Sequence, residues 1–112
     1  MNSLEMYNSE LMMWEILVPT VSNEGKPYRT RYHRVWDAKV REIAGGLTIL
    51  RPAIGQWVSP DGDLFKERMI PVRVMCTEEE INKIIKITID YYDQIAVLAT
   101  LVSTKCILTY RI

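Results

Sequence analysis

Apolar and polar positions along this chain follow two rhythms, and each rhythm marks a kind of element. The run over 14–21, with Trp14, Ile16, Leu17, Val18 and Val21, is rich in β-branched and aromatic residues and reads as a strand. Pro19 has no N–H to give a ladder, which places it at a sheet edge or near the strand's end. After a turn over 22–27 the rhythm changes: Tyr32, Trp36, Val40 and Ile43 recur at intervals of four, four and three, the spacing of one helix face. Thr30 is the expected N-cap of this helix, and Gly45-Gly46 its stop. A short strand over 47–50 leads to a loop over 52–62, in which Ser59-Pro60-Asp61-Gly62 has turn chemistry between two extended stretches. Residues 64–76 form the second half of that hairpin, with Ile70, Val72, Val74 and Cys76 on one face and Met69, Arg73 and Met75 on the other. Thr77 followed by Glu80 is a capping box, and Ile81, Ile84, Ile85, Thr88 and Tyr92 trace the helix face behind it. Strands over 95–102 and 106–112, parted near Ser103-Thr104-Lys105, close the pattern.

The order strand, helix, strand, strand, helix, strand is that of the split βαβ arrangement. It predicts an α+β, ferredoxin-like fold: an antiparallel sheet with two helices on one face, plus a short extra C-terminal strand. Residues 13–112 form this single domain, and residues 1–12, which lack a clean period, are an N-terminal extension that is loose or laid over a neighbour. The strands over 95–99 and 106–108 are apolar at consecutive positions, so both of their faces are apolar, while two helices cover only one. A second copy of the sheet is the simplest cover, so a homo-oligomer is expected, with sites where subunits meet.

Composition narrows the class without naming a function. The chain has 112 residues, 48% hydrophobic and 25% charged, with formal net charge zero and five residues each of Gly and Pro. Such a chain is neither disordered nor collagenous, and it has no global pull toward nucleic acid or anionic membrane. Cys76, Cys106 and the single His33 make neither a disulfide framework nor a zinc site, so no metal is expected. No apolar run approaches the ~20 residues of a membrane span, and the first thirteen residues, carrying Glu5 and Glu10, lack the character of a signal peptide. The expected location is the cytoplasm, that of the host if the chain is phage-encoded.

Neutrality overall conceals local polarity. Lys26, Arg29, Arg31, Arg34, Lys39, Arg41 and Arg51 face only Asp37 and Glu42 over 26–51, whereas five acids face Lys83 and Lys86 over 77–94. A basic first helix suits phosphate; it is otherwise a solvated face, or pairs with the acidic helix beside it. His33 lacks a nucleophile elbow to serve, which leaves it as a surface helix histidine. Cys76 and Cys106, in apolar strand patterns, read as small buried hydrophobes. The hairpin over 55–68 is the most unusual stretch. Trp57 offers a π surface for a base or a cation, and Glu67 returns near it across the hairpin with a negative charge. The structural alternative has Trp57 anchoring the hairpin to the core and Glu67 paired with Arg68 or a neighbour.

Gly46-Leu47-Thr48, Gly55-Gln56-Trp57, Asp61-Gly62 and Glu67-Arg68 together resemble a family of small bacterial and phage proteins without an assigned activity, over roughly residues 14–112. The layout also resembles the phage-encoded enzymes that degrade S-adenosylmethionine (SAM). The shared features are Arg31, His33 and Arg34 at the start of the first helix, Gly55 and Trp57, the downstream Glu67, the Val-Arg-Val-x-Cys strand of 72–76, Gln94 before Val97-Leu98, and Leu108-x-Tyr110. This resemblance implies a ferredoxin-like (PII-like) fold, a homotrimer with active sites between subunits, and a lyase reaction. In that reaction the carboxylate of SAM attacks its own γ-carbon, releasing methylthioadenosine and homoserine lactone. Implied site residues are Glu67 as catalytic and Trp57, Ser59, Arg31 and His33 as substrate-binding, with no cofactor and no metal, SAM being the substrate. The other reading is a non-enzymatic oligomer that binds or sequesters a nucleotide, which Arg29, Arg31 and Arg34 favour because phosphates need such donors. A third is an interaction module whose apolar sheet face docks a different protein.

Overall fold

The structure of the protein, a computed structural model, describes residues 3–6 and 11–111. Its elements are β1 (Ser3–Met6), β2 (Met12–Pro19), α1 (Thr30–Ala44), β3 (Thr48–Ile49), β4 (Ala53–Val58), β5 (Leu64–Cys76), α2 (Glu78–Tyr91), β6 (Ala99–Ser103) and β7 (Leu108–Arg111). The main sheet is antiparallel in the order β6-β2-β5-β3, with β4 also pairing β5. This is the expected α+β arrangement.

Strand register decides which side chains reach the core. Trp14 lies opposite Val74 and Ile16 opposite Val72, so the even-numbered positions of β2 and β5 share one face. Ile16, Val18, Val72, Val74 and Cys76 are buried there against Trp36 and Val40 of α1 and Ile81, Ile84 and Thr88 of α2. Burial pushes the Cys76 thiol up to about 12, so it acts as a small hydrophobe, as expected. The odd-numbered face carries Met13, Leu17 and Met75 around an ion pair in which Arg73 Nε donates to Glu15 Oε1 at 3.2 Å. Both helices lie on the other side.

The edge strand beside β5 is broken in two, and Pro71 explains the break. In a strand the N and O of one residue point to the same side. Leu50 N donates to Pro71 O at 2.9 Å, so the side on which Pro71 lacks an N–H faces the edge strand rather than β2. The ladder with β2 loses nothing. The edge strand, which contains Pro52 two residues beyond Leu50, lapses between Ile49 and Ala53. The expected loop over 52–62 is therefore half strand: β4 occupies its first part, and only the tip is a turn, where Gly62 has φ 88.

Other boundaries also move. The first strand ends at Pro19, and Val21 makes only an isolated bridge to Pro27. The N-cap of α1 is Arg29, not Thr30. The Arg29 carbonyl already accepts from Tyr32 N at 2.9 Å, and no side chain caps this end. At the other end Gly45, at φ 86, donates to Arg41 O at 2.8 Å, as its position predicted. The strand expected from 95 starts only at Ala99, because the chain leaves α2 through left-handed Asp93 (φ 51) and leaves Ile95 fully exposed. The last strand joins no main-sheet partner; β7 pairs with β1, Ser3 facing Arg111. Four residues of the expected N-terminal extension thus belong to β1 and Met12 opens β2, while its residues 1, 2 and 7–10 lie outside the described residues.

The capping box at α2 is formed: Glu80 N donates to Thr77 Oγ1 at 3.1 Å and Thr77 N to Glu80 Oε1 at 3.0 Å. Thr77→Ala is expected to cost about 1 kcal/mol, read as a lower urea midpoint at unchanged slope. An unchanged midpoint would show that the box does not stabilise the fold.

Candidate functional site

Two groups of functional side chains are built by different elements. The first lies on the hairpin β4–β5. Ile54, Val58 and Leu64 are exposed along it. Trp57 lies opposite Phe65, and their rings stack at 4.7 Å with an interplanar angle of 17°. Trp57 does not anchor the hairpin to the core. It remains 48% exposed, with one ring face on Phe65.

Glu67 stands two residues along β5 from Phe65 and opposite Gly55, so Trp57, Phe65 and Glu67 project from the same face of the hairpin. Because Gly55 has no side chain, the position facing Glu67 is bare backbone: even a Cβ there would come no nearer than 3.9 Å to the Glu67 carbonyl. Glu67 makes no ion pair among the described residues, with Arg68 or any other cation. The result is an exposed slot with an aromatic wall, a free carboxylate and a backbone floor. Its odd-numbered positions continue the alternation of Arg73 and Met75, so the slot opens on the side of the sheet away from the helices. Ser59 sits at the tip. Its hydroxyl oxygen accepts from Asp63 N at 3.2 Å and its N donates to Asp63 O at 2.9 Å, so its first role is to close the turn.

The second group joins the start of α1 to the end of α2. Tyr28 stacks on Tyr32 at 4.8 Å and Tyr32 on Tyr91 at 4.3 Å. The hydroxyl of Tyr32 donates to the Tyr91 carbonyl and that of Tyr91 to the Tyr32 carbonyl, a reciprocal pair of bonds. His33 is not a surface residue here. It is half-buried, and its Nδ1 lies 2.6 Å from the hydroxyl of the fully buried Tyr92. Burial lowers the His33 pKa, against a smaller opposing pull from Asp37, and burial raises that of Tyr92. The phenol and the imidazole Nδ1 thus share one hydrogen bond inside the half-buried junction of the two helices. Arg31 lies outside this pair, exposed, on the rim of a cavity of about 490 Å³ bordered by Tyr28, Tyr32, Tyr91 and Val35.

The residues expected to share one site are thus divided within a protomer. Trp57, Ser59 and Glu67 are on the hairpin, Arg31 and His33 on α1, and none of the hydrogen bonds, ion pairs or ring contacts among the described residues joins the two sets. The acidic helix does not neutralise the basic one through ion pairs; tyrosines hold them together instead, with Lys39 Nζ 4.9 Å from the Tyr91 ring centre. Phe65 and the tyrosine stack were missed in the sequence. The signal for Phe65 was its turn-symmetric position to Trp57; Tyr28 lies before the N-cap of α1, so no helical spacing announced the stack. Among the described residues no group of His, Cys, Asp and Glu could hold a metal, and no helix is long and apolar enough to cross a membrane.

Strand order, helix placement and register together define a ferredoxin-like (PII-like) chain, and solved structures share that fold. A phage SAM lyase in complex with S-methyl-5′-thioadenosine is similar with TM-score 0.65 and 11% identity, over 96% of this chain and 94% of that one. The phage SAM lyase in its apo state gives 0.58 and 10%, over 94% and 92%. A divalent cation tolerance protein (CutA1) from Thermus thermophilus gives 0.59 and 12%, over 82% and 84%. No protein-family model and no curated protein matches the sequence.

Proposed function

We propose that this protein is a SAM lyase that works as a homo-oligomer, a trimer by the sequence resemblance, with its active site where the hairpin slot meets a neighbouring copy. The observation that carries the reading is the slot: a Trp57–Phe65 wall and an unpaired Glu67 across bare Gly55, on the sheet side the helices leave open. It stands on a chain similar in fold, nearly end to end, to a phage SAM lyase that holds the methylthioadenosine product.

The reaction suits such a slot. A carboxylate oxygen of SAM bonds to Cγ while the Cγ–S bond breaks and its electron pair stays on sulfur. No proton moves. The protein needs neither nucleophile nor metal, only to fold the substrate so that the carboxylate lies behind Cγ. Two charges vanish on the way, the carboxylate's and the sulfonium's. A group that held either charge tightly would stabilise the ground state more than the transition state. Glu67 is therefore assigned to the α-ammonium, whose charge persists throughout, as a positioning contact. The free ring face of Trp57 is assigned to adenine for the same reason, and the Ser59 O–H, whose oxygen already accepts in the turn, is left a proton to donate to the substrate. A neighbouring copy covering the slot would exclude water, which favours a step that annihilates charge.

The test is incubation with SAM and chromatography for methylthioadenosine. Turnover above the spontaneous rate is expected, and its absence at enzyme concentrations comparable to the substrate overturns the reading.

A further inference from the structure

We infer that the tyrosine cavity between α1 and α2 is a binding site for a small anion carrying an aromatic ring, of the nucleoside monophosphate class, distinct from the hairpin slot and independent of the lyase reading. The cavity holds about 490 Å³, within the ~300–1,000 Å³ usual for ligand pockets. Arg31, Tyr32 and Val35 share one face of α1 at i, i+4 and i, i+3 spacings, Tyr28 joins them from the segment before the N-cap through its stack on Tyr32, and Arg29 and Tyr91 close the rim.

Three features set the ligand's chemistry. The wall is a stack of tyrosine rings at 4.8 and 4.3 Å, pinned by hydroxyl bonds from Tyr28 to the Tyr92 carbonyl and between Tyr32 and Tyr91. These rings are held in place before a ligand arrives, so ordering them costs it little. Val35, which the core does not use, leaves 48% of its surface exposed beside them. The charged residues bordering the cavity are Arg29 and Arg31, with no carboxylate on its lining. Neither guanidinium makes a hydrogen bond through its side chain or an ion pair among the described residues. Two uncommitted guanidiniums select phosphate or carboxylate, for which they offer paired donors. A phosphate carries more negative charge than a carboxylate and brings no sulfonium for the guanidiniums to repel, so the cavity favours a phosphorylated ring.

The experiment uses the full chain and AMP, adenosine and inorganic phosphate as probes, none of which can undergo the lyase reaction. In calorimetric titrations AMP is expected to bind about tenfold more tightly than adenosine, a difference that shrinks with added salt, and to outbind phosphate because only AMP uses the rings. Ring resonances of Tyr28, Tyr32 and Tyr91 should shift with AMP. Arg31→Ala, at an exposed position that leaves the core intact, is expected to weaken AMP about tenfold, and Arg31→Lys to restore part of the loss. Equal affinity for AMP and adenosine, equal affinity for AMP and phosphate, no heat up to about 5 mM AMP, or an Arg31→Ala variant that binds as before would each overturn the proposal.

Discussion

Replacing Trp36 by alanine is expected to cost about 3–5 kcal/mol, a large share of the ~5–15 kcal/mol that holds a domain of this size together. Trp36 is 1% exposed and fills the space between α1, α2 and the sheet. Its Nε1 donates to Thr88 Oγ1 at 2.9 Å, while Thr88 Oγ1 donates to the Ile84 carbonyl at 2.7 Å. Alanine would leave a cavity and a buried threonine hydroxyl short of one partner. Thermal denaturation followed by circular dichroism should show a midpoint lower by at least about 15 °C. Trp36→Phe keeps most of the volume, loses the hydrogen bond, and should fall between the two. A loss below about 1 kcal/mol for the alanine variant would mean that Trp36 is not the centre of this core.

The second large effect concerns chemistry rather than stability. Glu67→Gln preserves shape and removes the charge assigned to the substrate's ammonium, so kcat/KM for SAM cleavage is expected to drop about 10- to 100-fold, the range for losing one charge-assisted hydrogen bond. Glu67 is exposed and makes no ion pair among the described residues, so the variant should melt with the wild type. Full activity in the variant would take Glu67 out of the site, while loss of folding together with activity would make its role structural.

The sequence was most informative where one side of an element is buried. Trp36 and Val40 repeat with helical period because α1 packs one stripe on the sheet, and Val72, Val74 and Cys76 alternate because only one face of β5 meets the helices. The capping box was legible because it is local, Thr77 and Glu80 being three residues apart. Strand β4 was less legible for the opposite reason. With Ile54, Trp57 and Val58 all exposed, no alternation distinguishes it from a loop. The pairing of β7 with β1 depends on residues at opposite ends of the chain, which no window of pattern connects. His33 looked like surface because it follows Arg31 and Tyr32, yet it lies three and seven residues before Trp36 and Val40 and so borders the buried stripe. Trp57 and Glu67 share a face through hairpin geometry, which the spacing across the turn makes legible, whereas the rings beside Arg31 include Tyr91 from the far helix, which no local pattern connects to it.

Strand β5 runs unbroken for 13 residues, through the core at one end and along the slot at the other. Its parity is thus a single inherited quantity. Inserting one residue between Glu67 and Met69 would leave the pairing with β2, which begins at Met69, intact and turn Phe65 and Glu67 to the opposite side of the hairpin. Inserting two would merely lengthen the arm. Descendants of this chain can therefore vary the reach of the hairpin only in steps of two per strand without losing the face on which Glu67 stands.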